Sequence, residues 1–152
     1  MGDTGSEFPF GQLSKTYRGG ISWYRWIHDY RAEQHRRFKA WFEAKDAECP
    51  LNCIMELGCG LVVGYADYFR NRQYLGVDLA PHLTEWCRKH RPRDGHRFIT
   101  KNVLDSDFNE TADLVFSQGT VDNVPDMDAL LRAAVRASRK LIYITAYRGY
   151  FP

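Results

Sequence analysis

The sequence predicts an α/β domain built on a parallel sheet with helices on both faces, and three observations predict it. From Cys53 onward, five short apolar runs alternate with stretches of helical spacing. The first run ends in a Gly-x-Gly turn, Gly58-Cys59-Gly60. The second ends in an acid, Asp78, some 18 positions after Gly60. Strands that alternate with helices are joined by crossovers, which make neighbouring strands parallel and cover both faces of the sheet.

Taken in order, residues 1–20 mix Gly, Ser, Asp and Thr with a few aromatics and are expected to form an extended arm, punctuated by Gly19 and Gly20. From Ser22 to about Ala47, Trp23, Trp26, Ile27, Tyr30, Phe38, Trp41 and Phe42 recur at helical spacing. Ser22 caps this predicted helix, Arg31, Glu33, Arg36, Arg37 and Lys39 take its solvated face, and Pro50 ends it. Cys53–Leu57 is the first predicted strand, followed by a helix from Val62 to about Arg70 and a second strand over Tyr74–Asp78. Pro81 suits the first turn of a helix running to about His90. Arg97–Thr100 and Asp113–Ser117 are the third and fourth strands, Asp126 to Ser138 an amphipathic helix, and Leu141–Thr145 the fifth strand. The chain thus divides into an arm and helix over 1–50 and a sheet domain over 51–152.

Composition narrows the class. With 152 residues, 44% hydrophobic and 26% charged, the chain can bury one sizeable core. Its net charge of +2 comes from signs mixed along most of the chain, which does not support a nucleic-acid partner. Cys49, Cys53, Cys59 and Cys87 lack metal or redox spacing, and the five histidines have no partner spacing either. They read as reduced thiols and ordinary histidines, with no metal. Met1 to Phe10 lacks the apolar core of a secretory leader and no run reaches membrane-spanning length, so a cytoplasmic protein is expected.

In an open parallel sheet, ligands bind at the carboxyl ends of the strands. Gly58 and Gly60 stand there, where missing side chains let backbone approach a ligand closely. Asp78, ending the next strand, is placed to accept hydrogen bonds from the two hydroxyls of a ribose. A Gly-x-Gly turn by itself also suits nicotinamide and flavin proteins. Glu56 separates the readings: a carboxylate just ahead of the turn opposes a pyrophosphate but favours the ammonium and sulfonium of S-adenosylmethionine (SAM), which has no phosphate.

Residues from about Ile54 to Thr145 resemble class I SAM-dependent methyltransferases of the small-molecule type. Glu56-Leu57-Gly58-Cys59-Gly60 matches the first motif of that family and Tyr74-Leu75-Gly76-Val77-Asp78-Leu79 the second. Asp113 to Gly119 resembles its fourth-strand segment, and Val121 to Asp126 the loop that follows. The resemblance implies a Rossmann-like sheet of strand order 3-2-1-4-5 with an N-terminal helical extension. It implies that the loop from Glu56 through Gly58, Cys59 and Gly60 holds the methionine part of SAM, and that Asp78 binds the ribose with Leu79 against the adenine. Asn102 and the Val103 amide would meet the adenine edge, and Ser117, Gln118 and Gly119 would lie beside the methionine and the reacting methyl. Tyr17 and Arg18 would fold over the cofactor, with the Arg pairing with its carboxylate. Asp122, with Asn123 beside it, and Tyr147 stand where acceptor-binding groups often sit, and Asp122 and Tyr147 are the candidates for a general base.

The sequence departs from the family in having Val62 where a third glycine is common, Asn102 at an often acidic position, and Ser138-Arg139-Lys140 in place of a Gly-Gly turn. Family members usually continue into a sixth and seventh strand, whereas this sequence stops at Pro152. A fragment is expected, or else self-association covering the fifth-strand edge. The activity implied is methyl transfer from SAM to a small-molecule acceptor, releasing S-adenosylhomocysteine. The alternatives are a SAM-binding regulatory or scaffolding module without catalysis, and a nicotinamide-dependent enzyme.

Overall fold

The computed structural model describes residues 32–61, 65 and 67–146, with only the backbone of Asp122. The predicted arm, the start of the predicted first helix and the residues Tyr17, Arg18 and Tyr147 lie outside the described residues. Five strands form one sheet in which every pairing is parallel: β1 (Cys53–Leu57) at the centre, β2 (Gln73–Asp78) and β4 (Ala112–Gln118) beside it, β3 (His96–Thr100) outside β2, and β5 (Ser138–Thr145) outside β4. The expected order 3-2-1-4-5 is therefore observed. Helix α1 (Ala32–Glu48) precedes the sheet, α2 (Pro81–His90) joins β2 to β3, and α3 (Met127–Ala137) joins a short 3-10 turn (Val121–Asn123) to β5.

Alternation along each strand decides what faces which helix. Ile54, Tyr74, Phe98, Leu114 and Phe116 point to the layer of α1, where Phe38 and Phe42 are buried among them. The Phe38 ring stacks on Phe116 at 4.7 Å and meets Tyr143 edge-on at 4.9 Å, a geometry favoured by the aromatic quadrupole. Met55, Leu57, Leu75, Val77 and Val115 point the other way, to Leu130, Ala134 and Ala137 of α3. Asp46 of α1 holds Arg72 at 2.7 Å, and Arg72 also donates to the Leu51 carbonyl at 2.7 Å, so α1 is pinned to the entry of both β1 and β2.

Three details differ from expectation or refine it. β5 begins at Ser138, directly after α3, three residues earlier than the apolar run suggests. Its register against β4 shifts between Ala112 and Leu114, so Arg139 and Lys140 together oppose Asp113 in a β-bulge. Those charges hide the start of the strand from an apolar pattern. In the expected helix over 62–70, described residues 65 and 67–70 form turns with one helical hydrogen bond, from the Phe69 N–H to the Tyr65 carbonyl at 2.8 Å; 62–64 and 66 lie outside the described residues. Asp126 is the N-cap of α3, its carboxylate accepting the Ala129 N–H at 2.8 Å. Among the described residues no helix is long and apolar enough to cross a membrane.

Candidate functional site

The carboxyl ends of β1, β2 and β4 are tied together by their own hydrogen bonds. The Val77 carbonyl accepts the Gly58 and Cys59 N–H groups at 2.8 and 3.0 Å. Asp78 accepts the Gly60 N–H at 2.9 Å through one carboxylate oxygen and the Ala80 N–H at 2.9 Å through the other. The Leu57 carbonyl accepts the hydroxyls of Ser117 at 2.9 Å and Thr120 at 3.2 Å. Gly58, at φ +74°, has Thr120 directly over it: a β-carbon there would stand 2.0 Å from Thr120 Oγ1. The turn thus needs glycine for conformation and for space at once.

A cavity of about 260 Å³ opens at this junction, on the α3 side of the sheet. Leu57, Val77, Leu104, Val124 and Leu130 make its apolar wall, while Asp78, Lys101, Asn102, Thr120 and Asn123 bring polar groups to it. Of the residues singled out in the sequence, Gly58, Asp78, Leu79, Asn102, Val103 and Asn123 line this space. Leu79 is half exposed at its edge. The Asn102 side-chain oxygen accepts the Leu104 N–H at 3.1 Å, an Asx turn that bends the chain along the cavity wall.

The other singled-out residues sit elsewhere, for reasons of alternation and packing. Glu56 points to the opposite face of the sheet, where it is buried and accepts a short hydrogen bond from the Tyr74 hydroxyl. Burial raises its carboxyl to about 8, the Tyr74 hydrogen bond working against the shift and the neighbouring Asp78 adding to it. Asp78 is also raised by burial, opposed by its hydrogen bonds from Ala80 and Gly60. Cys59 packs its sulfur where a Gly76 β-carbon would lie 2.9 Å away, and burial lifts its thiol well above the ordinary range. All four cysteines are free. Ser117 is fully buried, Gln118 accepts the Tyr65 hydroxyl at 2.5 Å, and the Gly119 N–H donates to the Thr145 carbonyl at 3.2 Å. The side chain of Asp122 and all of Tyr17, Arg18 and Tyr147 lie outside the described residues.

Lys101, Leu104, Thr120, Val124, Pro125 and Leu130 also line the cavity without standing out as site residues in the sequence. Thr120 carries the one signal that could have found it: a hydroxyl residue directly after Gly119, level with the strand ends. Lys101 is held at the edge of the cavity by Asp107 at 2.7 Å. Chemically the arrangement offers one buried carboxylate between two turns, an apolar slot and a few hydrogen-bonding groups. That suits a ligand that is largely apolar in bulk, with a hydroxylated centre. At about 260 Å³ the cavity falls below the roughly 300–1,000 Å³ of whole-ligand pockets, so it takes one end of such a ligand.

Residues 55–141 match a family described as "Methyltransferase domain". A search of curated proteins finds no match to the sequence. Among solved structures, similar ones include an amino pentose methyltransferase from Micromonospora echinaspora with SAM bound, at 21% identity and TM-score 0.61, covering 93% of this chain and 57% of that one. Another is the plantazolicin methyltransferase BpumL with a triazolic desmethylPZN analog and S-adenosylhomocysteine, at 14% identity and TM-score 0.61, covering 87% and 55%. A third is the N-methyltransferase NodS from Bradyrhizobium japonicum WM9 with S-adenosylhomocysteine, at 13% identity and TM-score 0.68, covering 87% and 70%. The chain spans little more than half the length of the first two of these.

Proposed function

The chain belongs to the methyltransferase-domain family, and from that premise we propose that it binds SAM in the cavity beside Gly58 and Asp78 and transfers a methyl group to a small-molecule acceptor. The observation that carries this reading is the position of Asp78: a buried carboxylate at the end of β2, lining the cavity between the Gly58 turn and Leu79. Each of its oxygens accepts one backbone N–H and keeps a further lone pair, so a vicinal diol can be received without releasing the turn. The apolar wall of Leu57, Val77, Leu104 and Leu130 suits a flat heterocycle beside that diol. The amino pentose and plantazolicin of the solved relatives support a small acceptor.

SAM, when bound, supplies a sulfonium-activated methyl group. The chain's own contribution is positional. The Gly58–Gly60 turn, clamped by Val77 and Asp78, would fix the ligand relative to β1, and the apolar wall would exclude water. Holding two reactants at attack distance supplies much of the rate in such a displacement.

Titration calorimetry with SAM, S-adenosylhomocysteine and NAD tests the reading. Binding of the first two with NAD inert is the expected result, and binding of NAD alone overturns it. Transfer of labelled methyl from SAM across a panel of small hydroxyl, amine and thiol acceptors then tests the reaction. Binding without turnover assigns the chain the role of a SAM-binding module instead.

A further inference from the structure

We propose that the groove where α2 hands over to β3 binds a single strand of nucleic acid through its phosphates. This surface stands apart from the SAM reading and does not rest on it. Residues 88–97 hold five cations, Arg88, Lys89, Arg91, Arg93 and Arg97, against one acid, Asp94. That is a net +4 within ten residues of a chain whose total is +2, so the rest of the sequence nets −2. The modest overall charge conceals a local concentration.

The fold gathers three of these cations, Arg88, Arg93 and Arg97, into a concave surface. A groove of about 460 Å³ has Arg88, Arg93, His96 and Arg97 in its walls, with Asp94 as the one acid lining it. Each of the three arginines is anchored: Arg88 donates to the Phe98 carbonyl at 2.7 Å, Arg93 to Asp67 at 2.9 Å and Arg97 to Glu110 at 2.8 Å. An anchored guanidinium fork loses less freedom when it takes up a phosphate oxygen. Asp67 and Glu110 offset part of the charge, but both ion pairs have a well-exposed partner and such pairs are weak. Among the described residues Arg88, Lys89 and Arg91 have no ion-pair partner.

A helix dipole explains cations in the last turn of α2 but not Arg93 and Arg97, which lie beyond it. The charges run from the helix into the strand, a wider span than one phosphate occupies. A lipid surface is the less suitable polyanion. Membrane-surface segments bury an apolar face, yet among the described residues the exposed large hydrophobic side chains, Leu79, Met127, Leu131, Val135 and Ile142, all lie elsewhere. A cationic groove that tracks a backbone is the usual means of holding single strands. The ten residues of α2 separate the groove from the Asp78 end of the cavity by about 15 Å, so the two sites can be tested independently.

The test is fluorescence anisotropy of the full chain with a labelled oligouridylate of about 20 nucleotides at roughly 50 mM salt, alongside cosedimentation with phosphatidylserine vesicles. Saturable binding is expected, weakening steeply with salt at a log–log slope of about −0.7 for each phosphate neutralised. The double variant Lys89→Glu/Arg97→Glu should bind at least about tenfold more weakly with a shallower slope, while its circular dichroism and SAM titration stay as in the parent. Should that variant fail to fold, Arg93→Gln/Arg97→Gln, at two residues of the groove wall, replaces it, with the same direction expected. No binding by the parent, equal binding by the folded variants, or tighter binding to vesicles than to the oligonucleotide would each overturn the proposal.

Discussion

The Gly60 N–H donates to Asp78 at 2.9 Å, so the turn after β1 is fastened to the last residue of β2 by the carboxylate that lines the cavity. One side chain therefore shapes the turn and lines the cavity. Asp78→Ala should weaken SAM binding by roughly 1–3 kcal/mol through loss of charge-assisted bonds. It should also lower the unfolding midpoint, because the Gly60 and Ala80 N–H groups lose their acceptor. Calorimetry on a folded variant decides the matter: unchanged affinity removes Asp78 from the cofactor site.

Gly58→Ala is expected to be costly for two separate reasons. The left-handed backbone, φ +74°, disfavours any β-carbon, and Thr120 fills the space it needs. Strain of this kind costs roughly 1–3 kcal/mol. Urea unfolding should show that loss, and Thr120→Ala added to Gly58→Ala should restore only part of it, since the Thr120 β-carbon would itself stand 2.9 Å away. Full recovery would mean that the backbone conformation is not a constraint.

Glu56 makes stability depend on pH in a defined window. Its carboxyl is raised by burial to about 8, against an ordinary value of 4.5. Between those values the folded state holds a proton that the unfolded state has released, so stability falls as pH rises from about 4.5 to 8 and levels off above. The loss is on the order of a few kcal/mol. Glu56→Gln, which is neutral throughout, should flatten this slope and be the more stable protein at pH 8. Thermal melts of both proteins across that range check it, and parallel pH profiles would refute it.

Asp113 works in the opposite direction. Burial disfavours its charge, but hydrogen bonds from Cys53, Arg139 and Asn52 outweigh that and hold it below the ordinary carboxylate range. Its stabilisation is present above the unfolded value of 3.8 and is lost as pH falls through the lower folded value. Asp113→Ala should cost roughly 1.5–3 kcal/mol at neutral pH, because one carboxylate caps the start of β1 and joins β4 to β5. Chemical denaturation measures this directly, and a loss under a few tenths of a kcal/mol would show the junction to be redundant.

Much of this fold was legible from residue patterns. Apolar runs placed β1 to β4 within a residue or two, Pro81 marked the start of α2, and the Gly58 turn with Asp78 located the cavity. What escaped the sequence had physical causes. β5 opens with Arg139 and Lys140, whose charges are satisfied across the strand by Asp113, so its beginning carries no apolar signature. Thr120, Val124 and Leu130 reach the cavity only because α3 packs under β1 and β4, a tertiary fact that no local spacing encodes. Glu56 was visible as a special residue, but which face of the sheet it takes is settled by strand register and its partner Tyr74. The basic run at 88–97 was diluted by averaging charge over the whole chain.

The extra residue at Arg139 and Lys140 also acts as a phase-setter. Beyond it, Leu141 and Tyr143 fall toward Phe38 and Trp41, while Ile144 falls toward α3. Because α3 ends at Ala137 and β5 begins at Ser138, no slack exists between helix and strand to absorb a change in length. Removing one residue beyond the bulge, between Leu141 and Tyr143, would shift the rest of the strand by one position, turning Tyr143 to the wrong layer and Ile144 to the aromatic one. Insertions and deletions that a surface loop tolerates are therefore intolerable along the strand that follows, although it opens on two charged and partly exposed residues.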